Sequence, residues 1–175
     1  MKIALYGFMG AGKTSLGSIL AKRLRYNFID LDWEIEKATG MSINQYFDQY
    51  GETAFRKIEH KVLKDIIKKD QDNVILSLGG GTILQPSNRK ILNLMHFKNL
   101  YLDISLPTLV SRLKEQKNTR PLLKDIPEKE FKVYIEALLF SRKPIYEQSA
   151  DLHVKINEED FKQTVEKLSL LLNLN

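Results

Sequence analysis

At 175 residues the chain suits one domain, 1–175, with a sizeable core. An apolar share of 43% and a charged share of 28% are ordinary for a soluble globular protein. The absence of cysteine excludes disulfides and thiolate metal sites and is compatible with a reducing compartment. A net charge of +5 can attract nucleic acid, membranes or small anions. Lys and Arg are scattered, however, with no basic stripe carrying interleaved aromatics, so a solvated surface is expected and no nucleic-acid partner.

Residues 2–6 form a short apolar run ending in glycine and predict a buried strand. Met1-Lys2 and the apolar residues after it faintly imitate a secretory leader. Gly-rich sequence and Lys13 follow without a cleavage site, so no targeting is expected and a cytoplasmic location is. No run of ~18 apolar residues predicts a membrane span. Residues 13–24 carry apolar side chains at 16, 19, 20 and 24, a helical spacing, and 27–29 predict a second strand. Two short helices are expected at 32–39 and 42–50, separated by Gly40. The strongest helical pattern covers 52–69, with Phe55, Ile58, Val62, Leu63, Ile66 and Ile67 on one stripe.

A strand at 73–78 stops at Gly79-Gly80-Gly81, and a helix at 86–95 opens on Pro86. Then come a strand at 99–104, a helix at 107–114, and a polar, basic stretch at 115–126 expected to be a mobile loop or lid. A helix at 127–148 must bend or break near Pro144. A strand at 152–156 and a helix at 159–172 finish the chain. Strands and helices alternate about five times, which argues for an α/β fold with a parallel sheet and helices on both faces.

Gly7-Phe8-Met9-Gly10-Ala11-Gly12-Lys13-Thr14 fits G-x-x-x-x-G-K-[ST] between a predicted strand and a predicted helix. Glycines let backbone N–H groups turn inward around phosphate oxygens, and the following helix aims its positive end at the same point. Lys13 supplies a charge to the β- and γ-phosphates, and the Thr14 hydroxyl suits Mg²⁺. The motif implies a nucleotide but names no acceptor. No Asn-Lys-x-Asp guanine reader occurs, and Asp48-Gln49-Tyr50-Gly51 matches D-x-x-G inside a helical pattern, where it is coincidence. A kinase of a small molecule remains.

Asp30-Leu31-Asp32 follows the second strand. If the extended geometry persists, both carboxylates point the same way. One then suits Mg²⁺ through water, and the other can orient or deprotonate a hydroxyl. A turn or an N-cap also suits such aspartates. Arg56 can grip a carboxylate, with Glu59 holding it from the next turn, although the pair is equally an ordinary helix ion pair. Gly79–Gly81 permits close approach to a ligand at the carboxyl end of a strand, or is a flexible loop. Arg120 on the lid can stabilise a transferring phosphoryl group, and the break at Pro144 can aim Arg142 into a pocket; either is otherwise a surface arginine. His60, His96 and His153 show no metal-ligand spacing and are taken as structural, and Trp33 is given no chemical role.

GFMGAGKT (7–14), DLD (30–32), FRKIE (55–59), GGG (79–81), RPLL (120–123) and SRKPIYEQSA (141–150), in that order, resemble the shikimate kinase family. The resemblance implies a three-layer P-loop NTPase fold of nucleoside monophosphate kinase type, with a central five-stranded parallel sheet flanked by helices. It implies Mg²⁺-dependent transfer of the ATP γ-phosphoryl group to the 3-hydroxyl of shikimate, in the route to chorismate and the aromatic amino acids, by a monomer.

Position by position, the resemblance implies nucleotide binding by Gly10, Ala11, Gly12, Lys13, Thr14 and Ser15. Thr14 and Asp30 match the metal residues, and Lys13 and Arg120 the phosphate-stabilising cations. Asp32 matches the residue that binds the shikimate hydroxyls and acts as base. Arg56 and Arg142 match the carboxylate-binding arginines, Gly80 and Gly81 the backbone contacts, and Phe47 and Phe55 the apolar walls. The acceptor-binding region is expected at about 31–60. Arg112 is a candidate for packing on adenine, and the acidic stretch 157–160 is expected to start a helix. Shikimate carries one carboxylate and three hydroxyls, which two arginines and an aspartate suit. A relative acting on another sugar acid such as gluconate, or an ATP-binding regulatory module without turnover, is the alternative; intact Lys13, Thr14, Asp32 and Arg120 argue against the latter.

Overall fold

Five strands hydrogen-bond in the order β2-β3-β1-β4-β5, and every pairing is parallel. They are β1 (Lys2–Gly7), β2 (Asn27–Asp30), β3 (Val74–Ser77), β4 (Phe97–Ile104) and β5 (Leu152–Ile156). The helices are α1 (Lys13–Leu24), α2 (Leu31–Thr39), α3 (Ile43–Lys68), α4 (Pro86–Leu94), α5 (Leu106–Glu115), α6 (Phe131–Gln148) and α7 (Phe161–Asn173). This computed structural model describes residues 1–69, 71–156 and 161–173. The acidic stretch 157–160, including the first two positions of the expected last helix, lies outside the described residues.

The central strand β1 is buried on both faces, which is why its sequence is a continuous apolar run rather than an alternation. The chain steps from β1 to β2 one way across the sheet and from β2 through β5 the other way. Right-handed crossovers therefore put α1 on the face opposite α3 and α4. α1 packs against α7, and α3 against α4. Helices cover both faces of the sheet, the three-layer arrangement. Because the chain leaves β1 on one side and returns on the other, a crevice opens at the carboxyl ends of the central strands.

One expectation needs correction. The helix through Pro144 does not break: α6 continues to Gln148, and its helical part begins at Phe131, after a 3-10 turn at Glu128–Glu130. The carbonyl that Pro144 leaves without its usual donor belongs to Phe140, on an exposed face where water can serve it. The segment 115–126, expected to be a mobile loop or lid, holds a 3-10 turn at Lys117–Thr119 and turn bonds from the N–H groups of Leu123 and Lys124 to the Arg120 carbonyl. Leu123 is fully buried and ties the segment to the core. The expected separation of 42–50 from 52–69 appears inside α3, where Gly51 leaves helical geometry at φ 75°.

Candidate active site

Two cavities adjoin at the carboxyl ends of the strands. The first, of about 480 Å³, is lined by the turn after β1 and by Asp30, Asp32, Arg112, Gln116 and Arg120. Gly12 caps α1 with φ 83° and has no side chain to satisfy the helix's first N–H groups, which are left to an anion. Lys13 Nζ folds back on its own turn, donating to the carbonyls of Gly7 (3.2 Å) and Phe8 (3.0 Å). Burial pulls its pKa down to about 8, helped by Arg120 and Arg142 and opposed by Asp32 and Asp30.

The Thr14 hydroxyl donates to Asp30 Oδ2 at 2.8 Å, while Asp30 Oδ1 accepts from the Asp32 N–H at 3.0 Å. Asp30 is thus the N-cap of α2, and strand geometry ends there. The period-2 argument for Asp30 and Asp32 does not hold. Both carboxylates nevertheless line the nucleotide cavity, because the cap side chain folds back over the turn that carries Asp32.

The second cavity, of about 330 Å³, is built by Asp32, by α3 with Phe47, Phe55 and Arg56, by Gly79–Gly81, and by Arg120 and Arg142. Arg56 NH1 donates to both oxygens of Glu59 at 3.0 Å, and NH2 donates to Glu52 at 3.1 Å. Glu59 is almost completely buried and also accepts from the Thr82 hydroxyl at 2.7 Å. This is no exposed helix ion pair: a buried carboxylate sets the guanidinium's direction. A Cβ on Gly81 would stand 2.5 Å from the Arg56 NH2, so a side chain there would press on the guanidinium that Glu59 holds. The Arg142 guanidinium sits over the Phe8 ring at 5.7 Å.

Asp32 and Arg120 line both cavities. Burial, then the neighbouring Asp30 charge, push the Asp32 carboxyl up to about 6 against the pull of Lys13. Arg120 is held by Gln116 Oε1 through Nε (3.1 Å) and NH2 (2.7 Å). The segment bearing it rests on α3, where Asn44 Nδ2 donates to the Thr119 carbonyl at 3.1 Å and Lys124 pairs with Asp48.

The sequence model of shikimate kinase matches residues 9–172. The chain belongs to the shikimate kinase family. Shikimate kinase of Flavobacterium johnsoniae is 36% identical over 167 residues, 95% of this chain and 96% of that one. The Buchnera aphidicola (subsp. Baizongia pistaciae) shikimate kinase is 39% identical over 173 residues, 98% and 95%. Among solved structures, shikimate kinase from Acinetobacter baumannii in complex with shikimate superposes with a TM-score of 0.88 at 34% identity, covering 99% of this chain and 94% of that one. The shikimate kinase from Bacteroides thetaiotaomicron gives 0.87 at 32% identity, covering 99% and 98%. The fold is accordingly the P-loop, nucleoside monophosphate kinase-like fold of this family.

Every residue that the shikimate kinase resemblance pointed to lines one cavity or the other, Ser15 and Arg112 included. Arg112 donates to the Gly10 carbonyl at 3.0 Å and so braces the phosphate turn. Trp33, Glu36, Ser42, Ile43 and Asn44 also wall the acceptor cavity; they fall within the expected acceptor-binding region at about 31–60, but none was singled out as a site residue. They come from α2 and its junction with α3, where the local signals are Gly40 and the Ser42/Gln45 capping box. Sequence reasoning missed Gln116 as the holder of Arg120. His60 and His153 have structural partners in Asn88 (2.6 Å) and Asp103 (3.0 Å). Among the described residues no cluster of three or more His, Cys, Asp or Glu suits a metal, and no helix is long and apolar enough to cross a membrane.

Proposed function

We propose that the glycine-rich cavity holds the ATP phosphates, that the cavity beside it holds shikimate, and that Asp32 stands where the two meet. The family makes the reaction transfer of the ATP γ-phosphoryl group to the shikimate 3-hydroxyl, giving shikimate 3-phosphate and ADP. The observation that carries the assignment of sites is the second cavity itself. Three arginines (Arg56, Arg120 and Arg142), the carboxylates of Asp32, Glu36 and Glu59, and a close-packed glycine loop share it, a set that suits a small acid bearing hydroxyls.

Arg56 and Arg142 would clamp the substrate carboxylate, with Gly80 and Gly81 offering backbone contacts and Phe47 and Phe55 an apolar wall. Asp32 would accept the hydrogen bond of the attacking hydroxyl. Near neutral pH it is ionised, yet it is a stronger base than an ordinary carboxylate. The hydroxyl oxygen bonds to the γ-phosphorus as the bond to the β–γ bridging oxygen breaks, and the hydroxyl proton passes to Asp32. Lys13 and Arg120 would stabilise the charge that spreads over the phosphoryl oxygens. Thr14 and Asp30, 2.8 Å apart, are hard oxygen donors that fit Mg²⁺ directly and through water. When bound, the ion neutralises charge on the β- and γ-phosphates. The residues given these roles all come from one chain, which supports a monomer.

The test is ADP release by purified protein with Mg-ATP, comparing shikimate, gluconate, nucleoside monophosphates and no acceptor. Stimulation by shikimate alone is expected. Release indifferent to acceptor would leave an ATPase and remove the assignment of the second cavity.

A further inference from the structure

Behind the acceptor cavity lies a buried stack of three tyrosines: Tyr6 on β1, Tyr101 on β4 and Tyr146 on α6. Ring centroids are 5.8 Å apart for Tyr6–Tyr101, 6.1 Å for Tyr6–Tyr146 and 5.4 Å for Tyr101–Tyr146. Packing alone would be met by phenylalanine. A buried hydroxyl is kept at a cost unless it is hydrogen-bonded, so its partners show what it does.

The Tyr6 hydroxyl donates to the Tyr146 carbonyl at 3.0 Å, and the Tyr101 hydroxyl to Asp103 at 3.3 Å; both bonds stay within the scaffold. The third differs. The Tyr146 hydroxyl donates to the Gly80 carbonyl at 2.5 Å, and the Arg142 guanidinium one helical turn back acts on it by its charge. Gly80, Gly81 and Arg142 all line the acceptor cavity, whereas Tyr146 is sealed behind them. A trans peptide is planar, so its carbonyl and the next N–H point opposite ways. Pulling the Gly80 carbonyl back toward Tyr146 turns the Gly81 N–H forward, into the cavity.

We infer that Tyr146 is a positioning residue for acceptor binding: its hydroxyl holds the Gly80–Gly81 peptide in a single geometry beside Arg142. The peptide cannot turn without breaking that bond. The cavity therefore meets its ligand with a backbone donor already aimed, which spares the ordering cost of binding. The inference rests on the assignment of the second cavity to the substrate carboxylate and hydroxyls.

The test compares Tyr146→Phe, Tyr6→Phe and Arg142→Ala with the unaltered protein, measuring KM for shikimate, KM for ATP, kcat and melting temperature. Tyr6→Phe removes a hydroxyl from the same stack without touching the cavity, and so reports what structural loss alone does. For Tyr146→Phe we expect KM for shikimate to rise roughly 5- to 30-fold, the effect of leaving a buried partner unpaired. ATP KM should be unchanged, and the melting temperature should match that of Tyr6→Phe. Titration of the fluorescence of Trp33, the sole tryptophan and part of the cavity wall, should show the same weakening without turnover.

An unchanged KM for shikimate in Tyr146→Phe, or the same rise in Tyr6→Phe, overturns the inference. So does a Tyr146→Phe chain that fails to fold where Tyr6→Phe folds, since the residue then serves the core. If Arg142→Ala leaves KM for shikimate unaltered, the assignment of the cavity fails, and the inference with it. If Arg142→Ala raises KM and Tyr146→Phe does not, only the inference fails.

Discussion

Replacing Asp32 with asparagine separates chemistry from stability. The carboxyl titrates near 6 instead of 3.8 because burial and the Asp30 charge penalise its ionised form. That difference corresponds to about 3 kcal/mol in favour of the protonated form. The side chain faces the cleft, where water screens it, so about 1–2 kcal/mol is the share felt by folding. The sign is that of a raised pKa: folding is favoured below the unfolded value of 3.8, and this advantage is lost as pH rises through about 6. Asp32→Asn should therefore unfold at higher denaturant than the native protein at pH 8, by about 1–2 kcal/mol, with the gap closing by pH 4. Part of the gain is offset because Lys13 loses a favourable neighbour. Turnover should fall about 10²- to 10⁴-fold as the base is removed, with ATP binding retained. In the native protein kcat/KM should rise with pH through about 6. The assays are urea unfolding at pH 4, 6 and 8 and coupled ADP release over the same range. A stability difference independent of pH would refute the burial argument, and near-native turnover would remove Asp32 from the chemistry.

Arg56→Ala should weaken shikimate binding by roughly 2–5 kcal/mol, read as KM, and lower the melting temperature because buried Glu59 loses its cation. Gly81→Ala should raise KM for shikimate while ATP analogue binding persists, since the new Cβ would stand 2.5 Å from the Arg56 guanidinium and push it from Glu59; normal shikimate kinetics would show that the displaced guanidinium still serves the substrate. Removal of divalent cations by EDTA should stop shikimate-dependent ADP release. Thr14→Ala should raise the Mg²⁺ concentration needed for half-maximal rate roughly tenfold, within the range that ligand changes produce; an unshifted Mg²⁺ titration would take Thr14 out of the metal site.

The phosphate turn was legible in the sequence because its function rests on the backbone: glycines between a strand and a helix dictate a loop whatever surrounds them. The strands and most helices were legible for a like reason, since burial on both faces writes continuous apolar runs and burial on one writes stripes. Pro144 misled because a local rule about a missing N–H was applied where α6 runs on through it and the residue left without a donor, Phe140, is exposed to water. The local turns within 115–126 were not legible because one residue, Leu123, anchors a polar stretch, and one residue has no periodicity.

The acceptor site was present in the sequence only as separate fragments, and each fragment by itself had an ordinary alternative. Residue types and order along the chain were enough to name the chemistry that such fragments carry in a family. They could not decide that Arg56 is aimed by a buried Glu59, that Asp30 ends β2 as the N-cap of α2 instead of the strand running on to Asp32, or that Tyr146 meets Gly80 across 66 residues. Those facts depend on which elements the sheet order 2-3-1-4-5 brings to one end of the molecule. Backbone conformation follows from neighbours in the chain, whereas burial, charge and pKa follow from neighbours in space, and only the tertiary structure supplies those.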